Sequence, residues 1–456
     1  MRNRHPAAAV SAVLAAALAT GVCTACSAGA VGGRGASGIP SSSGDCIRAV
    51  DTESGKEAHG CLPLAPEQDR VDRVTPVFSR PTDITNPLHA SSKLQQVIYG
   101  GQVDGKPFRT ELTLLPDIKT ITVNGEQVRA RTLQYLSFSD GRIKEVAFDW
   151  FAQADDGSVW YLGEDVFNYE DGVVADTGGT WRSGKSGPAA MIMPAHPKTG
   201  DVYRPENSPG VVFEEVTVKA VGETVSGPYG PVKGAMTTTE IHMDGTHEDK
   251  VVAPGYGEFV IDEPGSDLEA VELAVPTDVT QGPAPAELAA LSAAVRAAHT
   301  GATEATVAKV RSAWDAYRAA DHVPALLVRQ MDRDVDSLTT AVKARDADLT
   351  RGAVLRVAQN DLDLHLRYEP LATVEAARMG LWARQSTLDG AARDAGAIAG
   401  DVTSLELTWD RVKNGTDPAR ADRVAASLRA LRDAADRKDT AVAQQAVERL
   451  NSALSG

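Results

Sequence analysis

The alternation of apolar and polar residues is clearest from Val146 to Tyr169, VAFDWFAQADDGSVWYLGEDVFNY. Phe148 and Trp150 alternate with Asp149 and Phe151, and Val159 and Tyr161 alternate with Trp160 and Leu162. A period of two is that of a β-strand with two unequal faces, and large rings at such positions anchor a sheet. Asp156-Gly157 between the two runs predicts a two-residue type I′ hairpin. The same punctuation recurs at Asp104-Gly105, Asn124-Gly125, Asp140-Gly141, Asp171-Gly172 and Asp244-Gly245. Between Asn124 and Gly172 these pairs stand close to sixteen residues apart, the length of a strand, a tight turn and the next strand. β-branched and aromatic residues fill the gaps over Thr120–Val123, Val128–Phe138, Ile143–Phe151 and Val159–Tyr169. Gly178 to Pro209 breaks the rhythm as a long excursion. Strands resume at Val211–Val221, Gly234–Met243, Thr246–Val252 and Glu258–Asp262. The pattern predicts an antiparallel meander that must curl, half-close into a barrel or pack as a sandwich.

After Pro276–Pro285 the period changes to that of a helix. Leu288, Leu291 and Val295 form one stripe, and Val307, Val310, Trp314 and Tyr317 another. Leu327, Met331, Val335, Leu338 and Val342 continue it, followed by Leu371, Val374, Leu381 and Leu388, by Val424, Leu428 and Leu431, and by Val447, Leu450 and Leu454. Thr303, Asp401 after Gly400, and Asp417-Pro418 mark helix starts. The expected class is α+β in two domains: a mostly antiparallel β-domain over 83–275, a Pro/Gly linker over 276–285, and an all-α antiparallel bundle over 286–456. A linker of this composition predicts halves that fold separately when parted there.

The N-terminus adds a location. Arg2, Arg4 and His5 precede an apolar run from Ala7 to Leu18, too short to span a bilayer and of signal-peptide length. Cys23-Thr24-Ala25-Cys26 resembles the lipobox of bacterial lipoproteins, with a cysteine where that pattern usually has an aliphatic residue; it implies a signal peptide over 1–25 and lipidation of Cys26. The alternative is an ordinary secretory signal cut near Ala28. Ser27 to Gly44 is a Gly/Ser-rich tether within the segment 26–82. Cys46 and Cys61 then stand in an oxidising compartment, where a disulfide closing their loop contributes about 3 kcal/mol on the chain-entropy model; two free thiols or a metal pair are the alternatives. The formal net charge of −16 argues against nucleic-acid partners.

Ile84-Thr85-Asn86-Pro87-Leu88, FDWFAQADDGSVWYLGED from Phe148 to Asp165, IMPAHPKTGDVYRPE from Ile192 to Glu206, and APGYGEF from Ala253 to Phe259 occur in that order. Together they resemble an uncharacterised family of bacterial secreted and lipoprotein β-domains, over roughly 83–275. The resemblance implies a secreted β-domain; it supplies no activity and no catalytic residues.

Ser-nucleophile elbows, P-loops, H-E-x-x-H and zinc-spaced C-x-x-C pairs are absent from the mature chain, so no catalytic residue is assigned. Asp361 and His365 share a helix face at i, i+4 and read as an exposed ion pair. Glu164, Asp165, Glu170 and Asp171 read as rim and turn residues. The one metal candidate lies in Glu240–Asp249, EIHMDGTHED. With Asp244-Gly245 as a two-residue turn, His242 faces His247 and Glu240 faces Asp249. Two imidazoles and two carboxylates on one surface would suit zinc or another divalent transition metal, although polar sheet faces near loop tips also collect such residues.

The functional expectation is therefore a membrane-anchored extracytoplasmic lipoprotein of the cell envelope without catalytic activity, needing no cofactor. Its partners would be the membrane, through the lipid anchor, and a ligand or envelope protein. A metal-binding envelope protein and a secreted hydrolase are the alternatives. The anchor is tested directly: Cys26→Ala is expected to release the protein into the medium or to abolish its processing, read by fractionation. Retention in the membrane at wild-type levels would overturn the lipoprotein reading.

Overall fold

The computed structural model describes residues 46–50, 57–263 and 267–455. Cys23, Cys26, the leader and the tether lie outside the described residues. A short hairpin, β1 (Arg48–Val50) and β2 (Glu57–Cys61), is closed by the Cys46–Cys61 disulfide. Leu62, just after it, packs with Phe213 and Ile241, and Val50 N donates to Met243 O at 2.9 Å. The disulfide hairpin is thereby seated on the turn at Asp244-Gly245.

The main sheet has 14 strands among the described residues, every paired neighbour antiparallel. A first meander runs through β3 (Gln96–Val103), β4 (Lys106–Val123), β5 (Glu126–Ser139), β6 (Arg142–Gln153) and β7 (Val159–Glu170). The short β8 (Val173–Asp176), β9 (Trp181–Arg182) and β10 (Ala190–Met193) all pair with β7. A second meander comprises β11 (Val202–Ser208), β12 (Val212–Gly227), β13 (Gly230–His242), β14 (His247–Ala253), β15 (Gly257–Glu263) and β16 (Asp267–Val275). Pairing of β16 with β3 joins the two, and the sheet curls without closing, so that its ends β10 and β11 lie beside one another. The outer edge of β11 is covered where Val71 N donates to Val202 O at 2.8 Å.

Four Asx-Gly turns, at Asp104, Asn124, Asp140 and Asp171, have positive φ at both central residues, as type I′ requires. Asp156-Gly157 and Asp244-Gly245 differ from the expectation: only the glycine is left-handed, and each loop has three residues. Asp156 Oδ1 accepts from Ser158 N at 2.9 Å and from its Oγ at 2.6 Å. Asp244 Oδ1 does the same with Thr246, at 2.8 and 2.7 Å. The aspartate binds the residue after the glycine and stays right-handed, giving a turn followed by a one-residue bulge.

Eight α-helices follow: α1 (Ala286–Thr300), α2 (Glu304–Ala320), α3 (Ala325–Ala344), α4 (Ala347–His365), α5 (Leu371–Ala392), α6 (Ala395–Val412), α7 (Pro418–Asp436) and α8 (Thr440–Ser455). Thr303 caps α2 in a capping box, and Asp417 caps α7 with Pro418 at its first turn. Asp401 starts no helix. The cap of α6 is Asp394, and Asp401 is buried within α6, 3.2 Å from Arg142 on β6.

Because strand side chains alternate, each strand against the bundle sends one set inward and the other to the helices. Leu136, Phe138, Ile143 and Val146 join the helical core, where Phe138 stacks on Trp382. The hydrophobic core is therefore continuous across the linker. A buried ionic network crosses it as well. Arg109 on β4 forks onto both oxygens of Asp363 on α4, at 2.7 Å each, and reaches Glu111 at 2.8 Å. Arg378 on α5 lies 3.0 Å from Asp363 and 3.2 Å from Glu375, and Arg411 on α6 lies 2.5 Å from Glu111 and 3.0 Å from Glu375. Three guanidinium groups meet three carboxylates, all almost fully enclosed. Burial would raise the Glu111 pKa, but Arg378, Arg109 and Arg411 outweigh it and hold that carboxyl well below its ordinary range.

This network sets a stability prediction. Asp363→Ala leaves Arg109 and Arg378 buried without their shared carboxylate and is expected to cost about 3–5 kcal/mol in denaturant unfolding. Glu67→Ala, which removes an exposed pair with Arg73, is expected to cost at most about 1 kcal/mol. Equal costs would mean that the network does not hold sheet and bundle together.

Candidate functional site: the acidic interior of the curled sheet

The concave side of the sheet holds a partly open cavity of about 70 Å³. By volume it admits roughly five to seven water-sized probes. One wall is apolar, formed by Tyr99, Leu112, Leu133, Phe151 and Met193. The facing wall carries Glu214, Glu240, Lys250 and Glu258 from β12 to β15. His89 also borders the space, edge-on to Phe151, and burial lowers its pKa to about 3, which keeps the ring neutral.

The four sequence blocks 84–88, 148–165, 192–206 and 253–259 meet at this end of the sheet. Asn86 Nδ2 donates to Gly157 O and Pro194 O at 3.2 and 3.0 Å, and Asn86 N donates to Gln153 Oε1 at 2.9 Å. Gly255 N donates to Pro87 O at 3.1 Å. Gly257 has φ +77°, and a Cβ there would stand 2.8 Å from Ala90, so only glycine lets β15 approach the Ala90 turn. Those blocks supply Leu88, Phe151, Ile192, Met193 and Tyr203, together with Gly257 and Glu258, to the cavity lining.

Beyond the cavity the inward-facing positions are unusually acidic. Asp149 opposes Glu164 across β6 and β7, and neither side chain reaches solvent. Glu164 sits in mid-strand, which corrects its reading as a rim residue; Asp165, its neighbour on the other face, is half-exposed and pairs with Arg182 at 3.0 Å. Tyr161 donates to Asp149 Oδ1 at 2.7 Å, while neither oxygen of Glu164 or Glu206 meets a donor. Carboxyls surround them, Asp149 and Glu206 around Glu164 and Glu214 beyond Glu206, with the Tyr161 hydroxyl also beside Glu164. Carboxyls so placed share a hydrogen bond only when one keeps its proton. Burial pushes Asp149 up to about 8, and burial with neighbouring negative charge raises Glu164 and Glu206 well above the usual range.

At the polar wall Glu214 faces His242 directly, and Glu240 faces Glu248. Lys250 Nζ lies 2.7 Å from Glu240 Oε2 and 3.3 Å from Glu248 Oε2. Burial would raise the Glu240 pKa, but Lys250 and His242 pull it below the ordinary value. Burial likewise opposes the charged imidazole, yet its contacts with Glu214 and Glu248 raise the His242 pKa well above 6.5. The expected four-residue metal surface is not assembled. The three-residue loop at Asp244-Gly245 slips the register by one, so His247 opposes Ile241 and Asp249 opposes Thr239. His247 and Asp249 are exposed on the outer face, and Asp249 accepts from Thr239 Oγ1 at 2.6 Å. Glu240 and His242 point inward, where Glu214 replaces the lost pair.

The Asp361/His365 pair is also not exposed. Ser292 Oγ donates to Asp361 Oδ1 at 2.8 Å and lies 2.8 Å from His365 Nε2, and His365 Nδ1 lies 2.7 Å from Glu369 Oε1. The order resembles a serine triad, but Ser292 is buried in mid-helix and also back-bonds to Leu288 O at 3.0 Å. Its geometry is that of a packing contact between α1 and α4. A wider cleft of about 890 Å³ opens between the Asp171-Gly172 turn and the start of α6. Arg142 stands 2.7 Å from Asp389 and 3.2 Å from Asp401 there, while Asp401 Oδ2 meets no donor and burial raises that carboxyl well above its ordinary range. The largest group of carboxyls without basic partners lies inside the sheet, at Asp149, Glu164 and Glu206.

Their titration gives a pH prediction. Asp149 inside the sheet, and Glu272 at the joint with α3, where it accepts from Gln330 and is pushed up to about 8 by burial and by Asp363, keep protons in the folded chain that the unfolded chain loses near pH 4. Their contribution is fully present below that pH and lost as pH rises to about 8, with a slope of up to about 1.4 kcal/mol per pH unit for each group. The melting temperature is expected to fall from pH 5 to 8, and to fall less in Asp149→Asn, whose amide mimics the protonated acid. Identical pH profiles for the two proteins would refute this. No family model matches the chain, and neither does any curated protein, so its function is argued from this interior.

Proposed function

We propose that the chain is a lipid-anchored extracytoplasmic binding protein without catalytic activity, whose curled sheet holds a small ligand with an apolar part and a polar head. The observation that carries this reading is the cavity with one apolar and one carboxylate-rich wall, at which the four sequence blocks converge. Concave, largely apolar spaces with a few convergent polar groups are the usual form of a small-ligand site. A volume of about 70 Å³ restricts the occupant to a few heavy atoms. The acid-rich wall favours a donor or cationic head over an anionic one. Attachment through Cys26 would hold the sheet above the membrane on the Gly/Ser tether. No helix among the described residues is long and apolar enough to cross a membrane.

The test uses the mature chain in EDTA, with butylamine, butanol and butyrate as probes in saturation-transfer NMR. Butylamine and butanol are expected to receive saturation and butyrate to receive little. Val216→Trp, which fills the cavity from β12, is expected to abolish the transfer while leaving the circular dichroism unchanged. Equal transfer to Val216→Trp and to the wild type, or none to either, would overturn the proposal.

A further inference from the structure

We infer that Glu214, Glu240 and His242 form a binding site for one divalent transition metal ion, with a free coordination position toward the cavity. The inference does not depend on whether an apolar ligand enters, because the three donors stand together in the protein alone. Their ligand atoms all lie within 4.8 Å of one another. His242 Nδ1 is 3.3 Å from Glu214 Oε1 and 4.0 Å from Glu240 Oε1. A tetrahedral ion with bonds of about 2.0–2.2 Å separates its donors by about 3.3–3.6 Å, so the triad needs only small rotamer adjustments to close on one.

The hydrogen bonding around the triad leaves the right atoms free. Glu214 Oε1 and Glu240 Oε1 are the oxygens that meet no hydrogen-bond donor, and both residues are almost fully buried. Lys250 occupies the other oxygen of Glu240, at 2.7 Å from Oε2, which fixes the carboxylate with Oε1 turned to His242. On the far side of the ring, His242 Nε2 lies 3.5 Å from Glu248 Oε2. The two are not hydrogen-bonded at this distance, but a carboxylate so placed can orient the opposite nitrogen toward a metal once the ring shifts slightly to meet it. The strand pairing makes this arrangement rigid: Glu214 and His242 are direct partners on β12 and β13, and Glu240 and Glu248 are direct partners on β13 and β14.

Donor chemistry selects the ion class. One imidazole and two carboxylates suit zinc, iron(II) or manganese better than calcium or magnesium, which take six or more oxygens or keep several waters. Three protein ligands leave a fourth position, and Glu214 and Glu240 both border the cavity. A water or the polar head of a small ligand would complete the shell there.

The experiment is calorimetric titration of the chelator-treated mature chain with zinc alone, with cobalt(II) absorption as a second readout of coordination geometry. One zinc per chain is expected, with tetrahedral or five-coordinate cobalt bands in the visible range. Glu214→Gln is expected to weaken zinc at least tenfold and His242→Ala to abolish the cobalt bands. His247→Ala, on the outer face, is expected to bind as the wild type does. The melting temperature of each variant separates loss of a ligand from loss of fold, and the wild-type cobalt spectrum needs no variant. Absence of both heat and cobalt bands in the wild type would overturn the inference. So would unchanged zinc binding in folded His242→Ala, loss of binding in His247→Ala, or binding of calcium in preference to zinc. Because no alkyl probe is present, a negative result here leaves the ligand cavity standing, and a failed probe experiment in EDTA leaves the metal site standing.

Discussion

The fork from Arg109 to Asp363 joins the two halves of the molecule, and the architecture follows from it. A guanidinium leaves water only if its donors are met, and here a helix carboxylate meets two of them while a strand carboxylate meets a third. Arg109 and Glu111 lie two apart on β4 and so share one face, and Glu375 and Arg378 lie three apart on α5 and share another. Each pair is local, and the network arises because the faces are pressed together. Once they are, neither half can leave without stranding charges. The apolar contacts of Phe138 and Trp382 add area to a joint whose geometry the ions fix.

Covering the convex face with helices has a consequence for the concave one. Where its outer side is docked, around β3, β6 and β16, the sheet keeps both faces out of water, and the inward residues enter a second interior. There the matching of charge breaks down. Asp149, Glu164, Glu206, Glu214, Glu240 and Glu248 are met by His242 and Lys250. Carboxyls in such excess remain buried only by holding protons, which the raised pKa values of Asp149, Glu164 and Glu206 express.

Much of the fold was legible because it rests on period and punctuation. The strands from Val128 to Tyr169, the helical stripes, the Thr303 and Asp417 caps and the Cys46–Cys61 bond all follow from local chemistry. The error at the candidate site was local too, and readable. The two Asx-Gly turns that departed from type I′ are the two followed by a hydroxyl residue, Ser158 and Thr246. A serine or threonine there gives the aspartate carboxylate an N–H and an O–H to accept from, and this competes with the left-handed aspartate that type I′ needs. One extra loop residue then moved His247 and Asp249 to the outer face. What no strand could announce alone was Glu214, which reaches His242 from a different hairpin. In sequence, a mid-strand carboxylate such as Glu164 looks the same whether its face meets water or another acid. The continuity of the core across Pro276–Pro285 was equally hidden, since a linker's composition does not report what the elements on either side press against.

The contrast between the two buried charge clusters decides how each should be read. At the joint, three guanidinium groups face three carboxylates, and burial leaves the charges in place because every one is answered. Such a set is balanced in charge. Inside the sheet the acids outnumber the bases, and Glu214 Oε1 and Glu240 Oε1 meet no donor while converging on one imidazole nitrogen. An incomplete set can be completed by protons or by a cation, and the two remedies act at different places. Protons suit Asp149, Glu164 and Glu206, whose neighbours are other carboxyls. A cation suits the triad, where a rigid strand pairing, an oriented ring and an adjoining cavity supply the geometry that proton sharing does not require. Unmatched charge held in a fixed shape is the mark of a binding site, and the triad inside the sheet has that form.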